Sequence, residues 1–495
     1  MARYVPKVFA LITIYALFKF IRLSTYWSRR KVKSGKLVPF FGELYGMIFG
    51  KTSNADTYKR LYNEVGNARY YGTYQFIWPV LVLKCPVLIK TMLDKSSVCF
   101  NAHRNDAKET VDPLWCRNLF VLKGDRWKDM RSFLSPVFCT GNLEELFYGV
   151  RIKARSFVRY FDKMPKQEID VEFKDACTRI TLDIISHMTM GVDVNSMTER
   201  DNRYYTMGKL FGDSDSKWRS LVFFSYMLCP IIPNLLGLTV FNKHLKAFFM
   251  EEVERILAQP IPDRGPSMLS FLIKEKHEGQ NITAIDMAAQ VFLFYLGGVE
   301  NVSNLICFMA YELAENPKVQ DKLIDEIDQY RSESLTYRLI SDKMPYLKMV
   351  LAETLRKHPI TTFTDRVVTK PYTIEPKMRG ETPLKLEVGD SITVPIIAIH
   401  HDPDLFKNPE IFDPLRFSPE RISEIEKCYI PFGLNPRRCI AQHFAELEVK
   451  IIFIELLKIF NIVKIPQTKF DISRTSFGLR FKGGEIHLGL KRRYI

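Results

Sequence analysis

The chain has 495 residues, 46% of them hydrophobic and 26% charged, which is ordinary for a globular enzyme. Nine cysteines with no paired spacing argue for a reducing compartment, and no zinc-ligand spacing, phosphate-binding glycine loop, internal repeat or low-complexity segment is present. The net charge of +15 suits solubility or an anionic or acidic partner, but no base-stacking motif or basic helix stripe supports nucleic acid.

The N-terminus opens on an apolar run. Val8 to Phe18 carries no charge, and Lys19 and Arg22 then intrude. A clean membrane span wants about 20 apolar residues, so this run reaches that length only if Lys19 snorkels. No small-residue cleavage site follows, which argues against a cleaved signal peptide. Arg29, Arg30, Lys31, Lys33 and Lys36 outnumber Arg3 and Lys7 upstream, so the body of the chain is expected on the cytosolic side. Residues 1–27 read as a membrane anchor, with an amphipathic surface helix as the alternative. Residues 28–42 read as a basic linker ending at Pro39-Phe40-Phe41-Gly42.

A helix is expected over 54–64, strands over Tyr70–Tyr74 and Val80–Lys84, and a further helical piece from Pro86. Trp127 and Arg131 stand four apart and share one helix face; alone, the pair reads as a surface cation–π contact. Leu221 to Phe241 holds no charged residue, but Pro230, Pro233 and Asn234 interrupt it. A spanning helix would need neighbours to satisfy that broken backbone, so the segment is expected to dip into one leaflet, with a buried core helix pair as the alternative.

Thr283 and Asp286 form a capping box that opens a helical pattern running to Glu315, roughly 50 Å at 1.5 Å per residue. Its middle reads Leu296-Gly297-Gly298-Val299-Glu300-Asn301-Val302-Ser303. Adjacent glycines cost a helix interior about 1 kcal/mol each, so either a flat ligand or a helix crossing must offset them. Glu353 and Arg356, three apart among Val350, Leu351 and Leu355, read as a buried rather than a solvated pair. Arg366 follows in a strand region.

The most informative stretch runs from Pro431 to Ala441. Turn residues come first, then Arg437 and Arg438, then Cys439, and an apolar helical pattern through Phe444, Leu447, Ile451 and Ile454 follows. Free N–H groups and a positive dipole end point at such a junction, and with the arginines they are expected to favour thiolate over thiol at Cys439. A lone cysteine is usually a small buried hydrophobe. The spacing here resembles the cysteine-ligand loop of the cytochrome P450 family, Phe-x-x-Gly-x-Arg-x-Cys-x-Gly, with Phe432, Arg437 and Cys439 on the pattern. Asn435 and Ala441 replace its two glycines, and Asn435 is expected to tolerate the positive φ that glycine allows.

The resemblance covers about residues 30–495, most strongly 283–465, and is closest in style to insect microsomal members. It implies one mainly α catalytic domain with small β-sheets over residues 43–495, in place of the two or three domains that length alone suggests. It implies haem, with Cys439 as axial ligand and Trp127, Arg131, Arg366 and Arg437 at the propionates. Phe432 is placed beside the ligating sulfur. Gly297, Gly298 and Glu300 match the family's oxygen-activation motif, but Asn301 stands where its threonine is expected. Glu300 and Asn301 are therefore the expected catalytic pair. Glu353 and Arg356 are implied to form a structural network with Arg416, from Pro414-Leu415-Arg416-Phe417, and the histidines of Ile399-His400-His401-Asp402-Pro403 are not metal ligands. The implied reaction is insertion of one oxygen atom from O2 into an apolar small molecule at the endoplasmic reticulum membrane. Electrons would come from NADPH–cytochrome P450 reductase, with cytochrome b5 as a further partner, and a basic face including Arg126, Lys128 and Arg438 would dock the reductase. Because of Asn301, a reductase-independent isomerase or dehydratase, and a haem protein without turnover, are the other readings.

Overall fold

The helices that position the site are α1 (Asn54–Glu64), α2 (Gly124–Leu134), α3 (Thr140–Asp162), α4 (Phe173–Met190), α5 (Lys243–Leu257), α6 (Ala284–Glu315), α7 (Pro317–Gln329), α8 (Pro345–Lys357) and α9 (Gln442–Leu457). This computed structural model describes residues 18, 20–35, 41–43, 45–48, 51–76, 78–105, 107–212, 222, 225–226, 230–239, 241–259, 267–473 and 478–494. Most of the expected anchor lies outside them, as do residues 221, 223–224, 227–229 and 240 of the uncharged segment Leu221 to Phe241.

Local sequence rules set the element boundaries. Ser53 and Asp56 cap α1 reciprocally, and Thr283 and Asp286 do the same for α6, with Thr283 N donating to Asp286 at 3.0 Å. Asn316-Pro317 then ends α6 and opens α7, because proline cannot continue a helix but fits its first turn. α6 is buried along most of its length and packs against α4, α5, α7, α8 and α9. Among the described residues it is the one helix long and apolar enough to cross a membrane, and it is the core of the domain instead.

Strands β1 (Tyr70–Gln75), β2 (Trp78–Leu83), β4 (Thr364–Val367) and β7 (Ser391–Val394) form a mixed sheet in the order β1-β2-β7-β4. β2 and β7 run parallel; the other two pairs are antiparallel. β3 (Glu168–Glu172), β9 (His487–Arg492) and β8 (Phe460–Val463) form an antiparallel sheet, and β5 (Tyr372–Ile374) pairs with β6 (Leu384–Leu386). The architecture is mainly helical with small sheets, as expected. Before the first sheet, Trp27 is buried and its Nε1 donates to Thr73 O at 3.0 Å, while Ser34 and Gly42 bridge to Gly72 and Gln75. The described residues of the expected anchor and linker thus make contacts along β1.

Glu353 lies at the centre of the expected charge network. Arg356 donates Nε to Glu353 Oε2 at 2.7 Å and Nη2 to Oε1 at 2.9 Å, and Arg416 Nε reaches Oε1 at 3.2 Å. Glu353 and Arg356 are fully buried and Arg416 nearly so. The remaining guanidinium donors bind carbonyls of His400, Pro409, Lys407, Asn408 and Ile411. Removing one partner of such a network leaves a buried charge, at a cost of about 3–5 kcal/mol. Arg356→Ala should lose most of the folded protein, read as a lowered unfolding midpoint and lost soluble yield; a variant as stable as the wild type would contradict the network's role.

Candidate functional site

Cys439 is reached through a closed loop. Gly433 makes the left-handed step at φ 74°, a role expected of Asn435, whose φ is not positive; the Asn435–Pro436 bond is cis. Cys439 N donates to Phe432 O at 3.0 Å, which closes the loop, and the Ala441 N–H points at the sulfur. α9 begins at Gln442, just beyond. Cys439 is open to solvent, yet protein surrounds it at longer range, and burial pushes its thiol above the ordinary value. The Ala441 N–H, Arg131 and Arg438 pull the other way and do not outweigh burial. That corrects the sequence expectation: the protein alone does not favour thiolate here. A coordinating metal deprotonates a thiol outright.

Three expected cofactor arginines meet beside this loop. Arg437 lies 4.1 Å over the Trp127 ring and donates to Asn101 O (2.7 Å), Leu119 O (3.2 Å) and Leu122 O (2.6 Å). Arg131, on the same face of α2 as Trp127, donates to Arg438 O at 2.9 Å. Arg366 is buried on β4 and reaches Leu434 O at 3.2 Å, which ties the sheet to the cysteine loop. Burial, with repulsion from Arg366 and Arg131, lowers Arg437 to about 9, and burial lowers Arg366 to about 10. Arg366 Nε is buried with no acceptor among the described residues. An open sulfur, clustered cations and an unused buried donor fit the haem that the resemblance implies, a flat metal-bearing ring with two carboxylates.

The middle of α6 shows why its glycines are tolerated. A Cβ on Gly298 would stand 2.3 Å from Ile185 Cδ1, so this glycine serves the crossing of α6 over α4. A Cβ on Gly297 would have nothing within 4 Å. Leu293, Leu296, Gly297, Glu300 and Asn301 form one incompletely buried stripe on a mostly buried helix, and Asn301 is its most open member. Glu300 is not free: Lys174 Nζ lies 3.1 Å from Oε2 and Asn304 Nδ2 2.9 Å from Oε1. Against the upward push of burial, Lys174 and Asn304 hold the Glu300 carboxyl below its usual range. Lys174 also donates to Ser303 Oγ at 2.5 Å. Sequence reasoning missed Lys174, because it lies on α4, 126 positions away, with no local pattern to mark it.

The structural triad reaches the cysteine loop through His400. Arg356 Nη1 donates to His400 O at 3.0 Å, and His400 Nε2 accepts from Ile430 N at 3.0 Å. Gly433 N in turn donates to Ile430 O at 3.1 Å. Neither His400 nor His401 joins a group of metal-ligating side chains among the described residues. Burial and the Arg356 charge hold His400 neutral, at about 3. A folded value below the unfolded one gives stability that is full above about 6.5 and is lost as pH falls toward about 3. The loss should approach about 1.4 kcal/mol per pH unit for this one group. His400→Gln, which keeps an acceptor without titrating, should flatten the acid limb of the unfolding midpoint between about pH 6 and pH 4, where the unfolded imidazole is charged and the folded one is still neutral. An unchanged limb would remove His400 from that role.

The family model described as Cytochrome P450 matches residues 32–488. The chain is 35% identical to Cytochrome P450 9e2 of Blattella germanica over 94% of each chain. It is 31% identical to Probable cytochrome P450 9f2 of Drosophila melanogaster over 93% of each. It is 29% identical to Cytochrome P450 6B1 of Papilio polyxenes, covering 98% of this chain and 99% of that one.

Proposed function

Because the chain belongs to the cytochrome P450 family and is therefore a haem monooxygenase, we propose that Cys439 is the axial ligand and that Arg131, Arg366 and Arg437 hold the haem carboxylates, with Trp127 carrying Arg437. The observation that carries this reading is the gathering of three guanidiniums, one with an unused buried donor, beside an accessible cysteine. When bound, the haem supplies the iron at which O2 is reduced and an oxygen atom transferred. The chain's own residues do the rest. The loop from Phe432 to Ala441 aims the sulfur and gives it one N–H donor. Phe432, whose carbonyl accepts from Cys439 N, would stand beside the ligating sulfur, as the resemblance implies. The stripe on α6 faces substrate and oxygen, and its Leu293, Leu296 and Gly297 select an apolar substrate.

Electrons come from NADPH through a separate flavoprotein, NADPH–cytochrome P450 reductase, with cytochrome b5 as a second donor. The support is a cleft of about 810 Å³ against the back of the cysteine loop, where Lys90, Lys348, Lys427, Arg438 and Lys450 outnumber Asp94, Glu426 and Glu446. Arg126 and Lys128, expected on this face, are already paired with Glu109 and Asp125. The site of action is the endoplasmic reticulum membrane. The short helix Ile231–Leu235 supports it: Ile231, Ile232, Leu235 and Leu236 are all exposed, which suits a segment set into one leaflet.

The reduced, carbon-monoxide-bound protein should show the red-shifted band of thiolate ligation, and Cys439→Ala should abolish it. With the reductase, the wild type should consume NADPH and form product. Retention of the band in the variant would remove Cys439 as ligand, and product formed from a hydroperoxide but never with NADPH would favour the isomerase reading.

Asn301 sets the second test. Cleaving bound oxygen needs protons, and an amide can position water but cannot relay a proton as a hydroxyl does. Glu300, held ionised by Lys174 and Asn304, acts through water rather than as a direct acid. The wild type should therefore release peroxide alongside product, and Asn301→Thr should raise product formed per NADPH consumed. A fully coupled wild type that the substitution makes worse would show that Asn301 is the better relay in this site.

A further inference from the structure

We propose that His103, hydrogen-bonded to Asp365, is a positioning residue that sets the spacing of Arg366 and Arg437 along the carboxylate edge of the haem. The inference rests on the reading that those arginines hold the haem carboxylates. Four consecutive residues, Asn101 to Arg104, span the gap between the two arginines. At one end Asn101 O accepts from Arg437 Nε at 2.7 Å. In the middle Ala102 O accepts from Val367 N at 2.8 Å, which adds the segment to the edge of β4 beside Arg366. At the other end Asp365, the residue before Arg366, accepts from His103 Nδ1 at 2.9 Å and from Arg104 N at 2.8 Å. Asp365 thus fixes one end of a short strap whose other end holds Arg437.

The imidazole is fixed on its face as well. It stacks on Phe120 with centroids 4.2 Å apart and planes 17° apart. Phe120 sits in the turn whose Leu119 and Leu122 carbonyls hold Arg437. One side chain therefore links β4, this turn and the strap. Its hydrogen bond fixes the tautomer: a carboxylate only accepts, so Nδ1 carries the proton. The charged groups facing it are Asp365, Arg366 and Arg437, while its neighbour Arg104 lies over Trp78. Burial and the two arginines disfavour a charge on the ring, against Asp365. His103 is accordingly a neutral donor that orients, not a fourth cation. Outer groups that orient ligating side chains commonly change affinity by about 10–100-fold when removed.

His103→Phe keeps the stack on Phe120 and deletes the hydrogen bond; His103→Asn places an amide N–H near the position of Nδ1 and keeps it. Haem loss from the holoprotein to excess apomyoglobin should quicken by about 10–100-fold in His103→Phe and remain near the wild-type rate in His103→Asn. The haem reduction potential should move in the first variant and return in the second. Combining His103→Phe with Asp365→Asn should be no worse than the worse single variant, because the two act as a pair. Wild-type haem retention and potential in His103→Phe would overturn the proposal, as would effects of the two substitutions that simply add. Arg437→Ala separates the two levels. If it releases haem and His103→Phe does not, the positioning role alone fails; if it retains haem like the wild type, the reading of the arginines fails and the proposal with it.

Discussion

The thiol side of the site hangs on one buried carboxylate. Glu353 is fully buried with two arginines against it, and a buried ion pair of this kind is by itself weak evidence for stability, since desolvation cancels most of the attraction. What the network supplies is geometry. After binding Glu353, Arg356 and Arg416 spend their other donors on five carbonyls between His400 and Ile411. An irregular loop without its own ladder of hydrogen bonds becomes a fixed surface. His400 passes that constraint to Ile430, Ile430 to Gly433, and Phe432 to Cys439. The chain of hydrogen bonds runs unbroken from the carboxylate on α8 to the closed cysteine loop, so a fault at Glu353 reaches the sulfur without touching it.

The expected cofactor edge is less fully compensated. There, cations are gathered without enough anions to match them. Arg366 and Arg437 are pushed down by burial, Arg437 also by its neighbours, while Asp365 gives partial relief to both. The cluster is an unfavourable arrangement held together by carbonyl acceptors and by the rigid sheet edge. On the reading proposed above, the two haem carboxylates would turn that repulsion into attraction, and binding of this kind would stabilise the folded chain by mass action. One arrangement is complete, with an acceptor for every guanidinium nitrogen of Arg356 and Arg416; the other is incomplete, with Arg366 Nε lacking an acceptor among the described residues.

How much of this was legible in the sequence follows from how local each feature is. The limits of α1 and α6 follow from reciprocal caps within four residues, and the strands from short β-branched and aromatic runs. The pairing of Glu353 with Arg356 follows from a three-residue spacing on one helix. The features the sequence did not reveal are long-range. Lys174 meets Glu300, and His103 meets Asp365, across 126 and 262 positions. The charge state of Cys439 depends on how much protein surrounds it, which the helix-start argument does not measure, so its direction came out reversed. At Asn435 a motif position was read as a conformation, and the neighbouring Gly433 took the left-handed step instead.

The two adjacent glycines of α6 show how packing becomes chemistry. Gly298 has no side chain where Ile185 comes down from α4, so the two helices cross closely. That crossing brings Lys174, on the same face of α4, within reach of Glu300 and Ser303. A bulkier residue at 298 would push α4 outward, lengthen the ion pair and let burial raise the Glu300 carboxyl. The pairing that holds the carboxyl of Glu300, a member of the open stripe, thus depends on a close helix crossing at a glycine two positions earlier. Gly297 does the complementary job by leaving the stripe itself clear beside Asn301, its most exposed polar member. A pinned carboxylate and an open amide are adjacent in sequence but different in freedom: Lys174 and Asn304 hold Glu300, while Asn301 stands exposed on the stripe.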